Sequence, residues 1–311
     1  MLLTVTLNPS VDISYRLDKL KLDKVNRTSY VSKTAGGKGL NVTRVAHLLG
    51  TDVLATGILG GSLGDFIEKQ LNLEGIKHNF LHSDQETRNC IAILHENMQT
   101  EILETGPLLS ESDQKRFLDH FESLLGLASL VSISGSVARG LSENIYSHLI
   151  ATCNVRNIPV ILDTSGKYLE TTLKNSDALP YLIKPNRDEL SALLQRKIGY
   201  EPEQLMKALS HPIFNGVPWV IVTLGSKGAF ARHGDRFYMV HIPKISVVNP
   251  VGSGDAVVAG FAKALESHES DENLLKFGMA AGMLNTMESR TGFVDASKFD
   301  QTVQMIQVEK L

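Results

Sequence analysis

Short, nearly continuous apolar runs alternate along most of the chain with stretches whose apolar residues recur every three or four positions. The runs at 2–7, 53–58, 130–134, 160–163, 181–184 and 219–223 are predicted strands. Their lack of polar alternation is that of parallel strands covered on both faces. A helical pattern falls at 39–49, 63–73, 111–125, 142–156 and 187–195, and again at 254–267 and 271–287. This order predicts an α/β fold with an open, mostly parallel sheet and helices on both faces. Ligands of such sheets bind beyond the carboxyl ends of the strands.

Two regions depart from the alternation. Residues 88–95 and 100–104 read as a hairpin turning around Asn97, and 12–15 and 29–33 as further strands. Together they predict a small β-sheet built from segments about 11–34 and 88–105 of a single domain spanning 1–311. Ile91, Ile93, Ile102 and Leu103 give that sheet apolar surface to cover. Closure over a substrate as a lid would cover it, as would a homodimer contact. Simple extension of the main sheet's edge is the blander alternative.

Composition narrows the classes. With 42% hydrophobic residues, the 311-residue chain can bury a large core. A net charge of −3 argues against nucleic acid or an anionic membrane as the main partner. No apolar run approaches the roughly 18 residues of a spanning helix. Residues 1–6 run straight into a strand without a secretory pattern, and Cys90 and Cys153 make no disulfide framework. The expected setting is therefore the reducing cytoplasm. The ten histidines show no metal-ligand spacing.

Chemistry enters through two glycine-rich elements, each just before a helical pattern. In Asn249-Pro250-Val251-Gly252-Ser253-Gly254-Asp255 the glycines free the backbone at a predicted helix start. The first amides of a helix lack intrahelical acceptors, and the helix dipole adds positive charge there. A phosphate would be cradled by Gly252, Ser253 and Gly254, with Asp255 beside it to take a proton from an attacking hydroxyl. An ordinary loop with an N-terminal cap has the same residues. Upstream, Gly36-Gly37-Lys38-Gly39-Leu40-Asn41 allows close backbone approach and supplies a cation and an amide. Neither element is a Walker A loop or a dinucleotide glycine fingerprint.

In this order the two elements resemble the signatures of the ribokinase/PfkB family of carbohydrate kinases, and the similarity runs nearly end to end. Within the sugar-phosphate branch, three phrases are similar to the tagatose-6-phosphate kinases. They are Leu7-Asn8-Pro9-Ser10-Val11-Asp12-Ile13-Ser14-Tyr15, residues 86–96, and Thr100-Glu101-Ile102-Leu103-Glu104. The resemblance implies a ribokinase-like core with a β lid, using ATP and Mg²⁺. It implies transfer of the ATP γ-phosphoryl group to the C1 hydroxyl of D-tagatose 6-phosphate, in lactose and galactose catabolism. The alternatives within the branch are 1-phosphofructokinase and type 2 6-phosphofructokinase. From other classes, a nucleotide-binding oxidoreductase would need a glycine turn after the first strand, and a non-catalytic sensor would be expected to lack Asp255.

The resemblance also implies roles. Asp255 matches the catalytic base, while Asp12, Gly37 and Asn41 match contacts to the sugar. Arg27, Lys38 and Arg88 are candidates for the phosphate the substrate already carries. Ser136 is expected to line the same cleft. Lys184, Thr223, Gly225 and Gly228 fall in ATP-binding segments, with Asn285 a candidate neighbour of the adenine. Asn186 and Glu189 match the family's N-x-x-E pattern, whose oxygens suit Mg²⁺ or its waters. Their spacing is equally that of a helix capping box. One departure stands out: Asn249 replaces the aspartate that many relatives carry, a residue tied to monovalent-cation activation.

Overall fold

The structure, a computed structural model, describes residues 1–96 and 98–311, so the turn expected at Asn97 lies outside the described residues. In chain order the strands are β1 (Leu2–Thr6), β2 (Ser10–Leu17), β3 (Val31–Gly36), β4 (Val53–Gly60) and β5 (Lys77–His78). They continue as β6 (Leu81–Ser83), β7 (Arg88–His95), β8 (Met98–Leu103), β9 (Leu130–Ser134) and β10 (Val160–Asp163). The last are β11 (Leu182–Ile183), β12 (Trp219–Thr223), β13 (Ala229–His233), β14 (Arg236–His241) and β15 (Gln307–Lys310).

Among the described residues an 11-stranded sheet runs in the order β15-β14-β13-β12-β11-β10-β9-β1-β4-β5, with β6 also paired to β4. From β4 through β1 to β12 the pairing is parallel, as expected. Successive residues of each strand enter different cores. Leu3 and Val5 of β1, Val131 and Ile133 of β9, and Val220 and Val222 of β12 enter one; Leu2, Leu130, Trp219 and Ile221 enter the other. Burial on both faces is why these strands read as unbroken apolar runs.

The sequence reading falls short at the sheet's antiparallel edge. The β12–β13–β14–β15 ladder was not expected, nor were the helices Gly166–Leu173, Pro202–Leu209 and Phe299–Gln304. Strand β15 is exposed along most of its length, so no apolar run announces it. The predicted helix 142–156 shortens to Ile145–Val155, and the predicted strand 181–184 to Leu182–Ile183.

A second, 4-stranded sheet has the order β3-β2-β7-β8. Strands β2 and β7 pair in parallel, with an antiparallel neighbour on each side. These strands form their own sheet, which overturns the alternative that they merely lengthen the main one. Strand β7 is half-buried over most of its length and β8 is exposed throughout.

Two helices reach the carboxyl end of the main sheet with their N-termini, Lys38–Leu48 and Ser253–Glu266. The second is pressed against the helix Asp271–Met287 at two glycines. A side chain at Gly260 would meet the Phe277 carbonyl oxygen at 2.3 Å, and one at Gly278 would meet the Phe261 ring at 2.0 Å. The obstacle at Gly260 is backbone, so it cannot rotate away. Gly260→Ala is therefore expected to lower unfolding stability by about 1–3 kcal/mol, despite alanine's better helix propensity. Chemical denaturation checks this; an unchanged or raised midpoint would contradict the packing argument.

Candidate active site

A cleft of about 1250 Å³ opens between the carboxyl end of the main sheet and the second sheet. Strand ends supply its polar floor. Asp163 closes β10, Lys184 follows β11 and Thr223 closes β12; the helix starts add Gly37, Lys38, Asn41 and Gly252 to Asp255. The second sheet contributes Asp12 from β2, with Arg88 and Cys90 from β7.

Glycine is required where both helices begin. Gly37 has φ of 101° and Gly252 φ of 80°, values that side-chain-bearing residues avoid. Among the described residues no side chain caps either helix. The Ser253 amide turns back to the Pro250 carbonyl at 3.3 Å, which takes it out of the expected cradle. Among the described residues the amides of Gly252 and Gly254 have no acceptor, and they remain available to an anion.

Asp255 lies in the first turn, 6% exposed, and its Oδ2 accepts from Asn41 Nδ2 at 2.9 Å. Burial pushes its carboxyl up to about 7; the Asp163 charge adds to this, while Lys38, the Asn41 hydrogen bond and Lys184 oppose it. Lys38 carries its charge firmly. Asp163, and then Asp255 and Glu189, hold its ammonium above the usual lysine range against the effect of burial. Lys38 thus lies within the field of the carboxylates around Asp255 and lines the same cleft. Lys184 Nζ stands 3.3 Å from Asp163 Oδ1, both groups buried, and Asp163 Oδ2 has no hydrogen-bond partner among the described residues.

At the second sheet, Ser10 Oγ donates to Asp12 Oδ1 at 2.7 Å, and burial lifts the Asp12 carboxyl despite that bond and the charges of Arg88 and Arg44. Arg88 donates through Nη2 to the Asn8 carbonyl at 3.1 Å and through Nη1 to the Glu104 carbonyl at 2.8 Å. It clamps the chain after β1 to the chain after β8 while lining the cleft.

Several expected site residues sit elsewhere. Arg27 is exposed on the β2–β3 connection and does not line the cleft. Ser136 is exposed outside the cleft lining, its Oγ accepting from Asn8 Nδ2 at 3.1 Å. Gly228 closes the turn after β12, its carbonyl accepting from Leu224 N at 2.8 Å, while Thr223 and Gly225 line the cleft. Asn285 is fully buried; it donates to the Val251 carbonyl at 2.9 Å and accepts from Gly292 N at 3.0 Å. Both ends of its amide are spent on bracing loops, so it is no adenine contact.

Asn186 and Glu189 line the cleft and form the capping box that their spacing allows, at 2.8 Å in both directions. Asn249 Oδ1 accepts from Val251 N at 3.0 Å, and its amide nitrogen donates to the Ser289 carbonyl and Thr291 Oγ1, each at 3.4 Å. Sequence reasoning missed Asp163, although it ends a predicted strand where ligands gather. It also missed an apolar wall made by Ile242, Ile245, Val257, Met279 and Met283.

An open α/β sheet, two helix starts with unpaired amides and a buried carboxylate within the field of Lys38 and Lys184 fit phosphoryl transfer at the sheet's carboxyl end. The chain belongs to the pfkB family carbohydrate kinases, whose profile it matches over residues 5–297. It is an ATP-dependent sugar-phosphate kinase. Among solved structures it is similar to Escherichia coli phosphofructokinase-2 in complex with potassium, at 26% identity over 97% of this chain and 98% of that one, with a TM-score of 0.90. A Staphylococcus aureus protein described as a phosphofructokinase is 28% identical over 100% and 99% of the two chains, with a TM-score of 0.85. A Thermotoga maritima protein described as a 1-phosphofructokinase is 25% identical over 100% and 99%, with a TM-score of 0.87.

A base must be ionised to accept a proton. With Asp255 pushed up to about 7, kcat/KM for the sugar phosphate is expected to fall tenfold per pH unit below that value and to level off above it. A pH–rate profile flat from pH 5 to 8 would remove Asp255 from the proton-transfer step.

Proposed function

We propose that this kinase phosphorylates the C1 hydroxyl of a ketohexose 6-phosphate, with fructose 6-phosphate the leading substrate. The phosphofructokinase neighbours support that choice; one is Escherichia coli phosphofructokinase-2 in complex with fructose-6-phosphate, at 26% identity and a TM-score of 0.88. D-Tagatose 6-phosphate, its C4 epimer, is the second reading, supported by the resemblance of residues 7–15, 86–96 and 100–104 to tagatose-6-phosphate kinases. The observation that carries the chemistry is one cleft with Asp255 and open helix amides at one side and Asp12 and Arg88 at the other.

Asp12 orients the sugar hydroxyls, and Arg88 faces the phosphate the substrate brings. Asp255 takes the proton of the C1 hydroxyl as that oxygen bonds to the γ-phosphorus of ATP. The bond from the γ-phosphorus to the bridging oxygen breaks, and ADP leaves. Amides of Gly252 and Gly254, with Lys38 and Lys184, neutralise the phosphoryl group in flight. The apolar wall around Met279 and Met283 suits an adenine, with Thr223 and Gly225 beside the rest of the nucleotide. The second sheet serves as the lid, and its exposed apolar residues Ile102 and Leu103 are our candidate contact between copies.

The donors fit a hydrated Mg²⁺. Among the described residues no group of three or more His, Cys, Asp or Glu is set to hold a metal directly. Asp163 Oδ2, without a partner among the described residues, is a buried acceptor suited to a metal-bound water, and Glu189 and Asn186 line the same cleft. Bound there, the ion would neutralise ATP phosphate oxygens.

A coupled ADP-release assay on fructose 6-phosphate, tagatose 6-phosphate and fructose 1-phosphate tests the substrate. We expect the 6-phosphates to be preferred, fructose 6-phosphate most; a preference for fructose 1-phosphate would reverse the placement of the substrate's phosphate.

Asp255→Asn is expected to lower kcat by at least about 10³-fold. It should also stabilise the fold at pH 8. The folded carboxyl lies at about 7 against an ordinary 3.8, so the folded state holds the proton more tightly. Stability is then lost as pH rises through that window, and asparagine removes the loss. Turnover near wild type, measured in a clean preparation, would refute the assignment.

A further inference from the structure

We propose that Arg44 is a positioning residue for phosphoryl transfer, holding Asn41 in the one orientation that presents its amide N–H to Asp255. The proposal rests on the reading of Asp255 as the base.

Arg44 is 1% exposed, a charge in the core one helical turn beyond Asn41. Its guanidinium serves three partners. Nε donates to Glu74 Oε2 at 2.8 Å, Nη2 to the Ala35 carbonyl, and Nη1 to Asn41 Oδ1 at 3.4 Å. A guanidinium has only donors and an ionised carboxylate only acceptors. Between the two, the Asn41 amide has one satisfactory orientation: oxygen to Arg44, nitrogen to Asp255. Without Arg44 the amide oxygen loses its donor, and one of the two constraints that keep the nitrogen turned toward Asp255 is gone.

Gly292 seals this pair. A side chain there would meet Asn41 Oδ1 at 2.7 Å and Arg44 Nη1 at 3.0 Å. The Gly292 amide donates to Asn285, which donates in turn to the Val251 carbonyl beside the open amides of the anion cradle. The guanidinium also lies 5.0 Å from the centre of the Phe293 ring. One buried side chain therefore underlies the base and the loop that holds the phosphoryl group. The charged groups acting on Asp255 are Asp163, Lys38 and Lys184; those around Arg44 are Glu74, Asp12 and Arg290.

Removing one member of an ion pair with a buried partner destabilises a fold for reasons unrelated to catalysis, so the test uses two variants. Arg44→Lys keeps the charge but cannot reach three partners at once. Arg44→Met combined with Glu74→Met removes both charges together. In each we expect kcat to fall about 10–100-fold, with KM for ATP and for fructose 6-phosphate within about threefold of wild type. The acid limb of the pH–rate profile should move to higher pH, a change that a purely structural residue would not produce. Thermal unfolding checks that the variants are folded.

A folded variant with wild-type kcat and pH profile overturns the proposal. So does failure of both variants to fold, which makes Arg44 a structural ion only. Asp255→Asn run alongside separates the two readings: if it stays inactive while the Arg44 variants keep full turnover, only the positioning role falls.

Discussion

A carboxylate enclosed in a dry place is the constraint around which the site is built. Asp255 is buried in the first turn of its helix, and burial alone would hold it protonated. Lys38, Lys184 and the Asn41 amide pull the other way, and Asp163 sets the balance by adding a second negative charge. The result is a group poised near neutral pH, where a proton can be both accepted and released. The poise depends on exact neighbours, which is why a tightly packed helix carries it. The glycine contacts at Gly260 and Gly278 leave that helix no room to shift.

The charges come from segments far apart in sequence that the sheet makes adjacent. Strands β10 and β11 pair in parallel, Leu162 opposite Ile183, which brings Asp163, the last residue of β10, beside Lys184, the first after β11. This is the physical reason some of the site was legible in the chain and some was not. The glycine elements announce themselves because their demand is local: a backbone at positive φ and a helix start without a cap. Asp163 makes no such demand; its importance arises from a strand pairing that no local pattern displays. Met279 and Met283 read as ordinary core positions, since an apolar wall and an apolar core look alike along a helix.

The misplacements have similar causes. Arg27 is a charge, and composition says nothing about where a charge points. Asn285 ends a largely apolar helix near the cleft, but its amide satisfies backbone groups of two loops and is used up there. With Asn186 and Glu189 the two readings coexist: the residues cap their helix and line the cleft at once. Fold class was the most legible feature, because continuous apolar strands between amphipathic helices admit few arrangements. Strand β15, the outermost of the antiparallel edge, escaped because it buries almost nothing.

The two sheets divide the work, and this bears on how the sugar is chosen. The main sheet and its two helix starts supply Asp163, Lys184, Lys38 and Asp255, all near the transferring phosphoryl group in the proposed mechanism. None of them has reason to distinguish two ketohexose phosphates that differ only at C4. Asp12 and Arg88 come from the second sheet, and Arg88 is itself part of the clamp joining that sheet to the end of β1. The phrases that resemble tagatose-6-phosphate kinases lie at residues 7–15, 86–96 and 100–104, and they build β2, β7 and β8. Likeness in catalytic motifs and likeness in substrate therefore reside in different layers of the molecule. On the proposed reading, discrimination between epimers is to be sought in the small sheet and the strand ends it clamps.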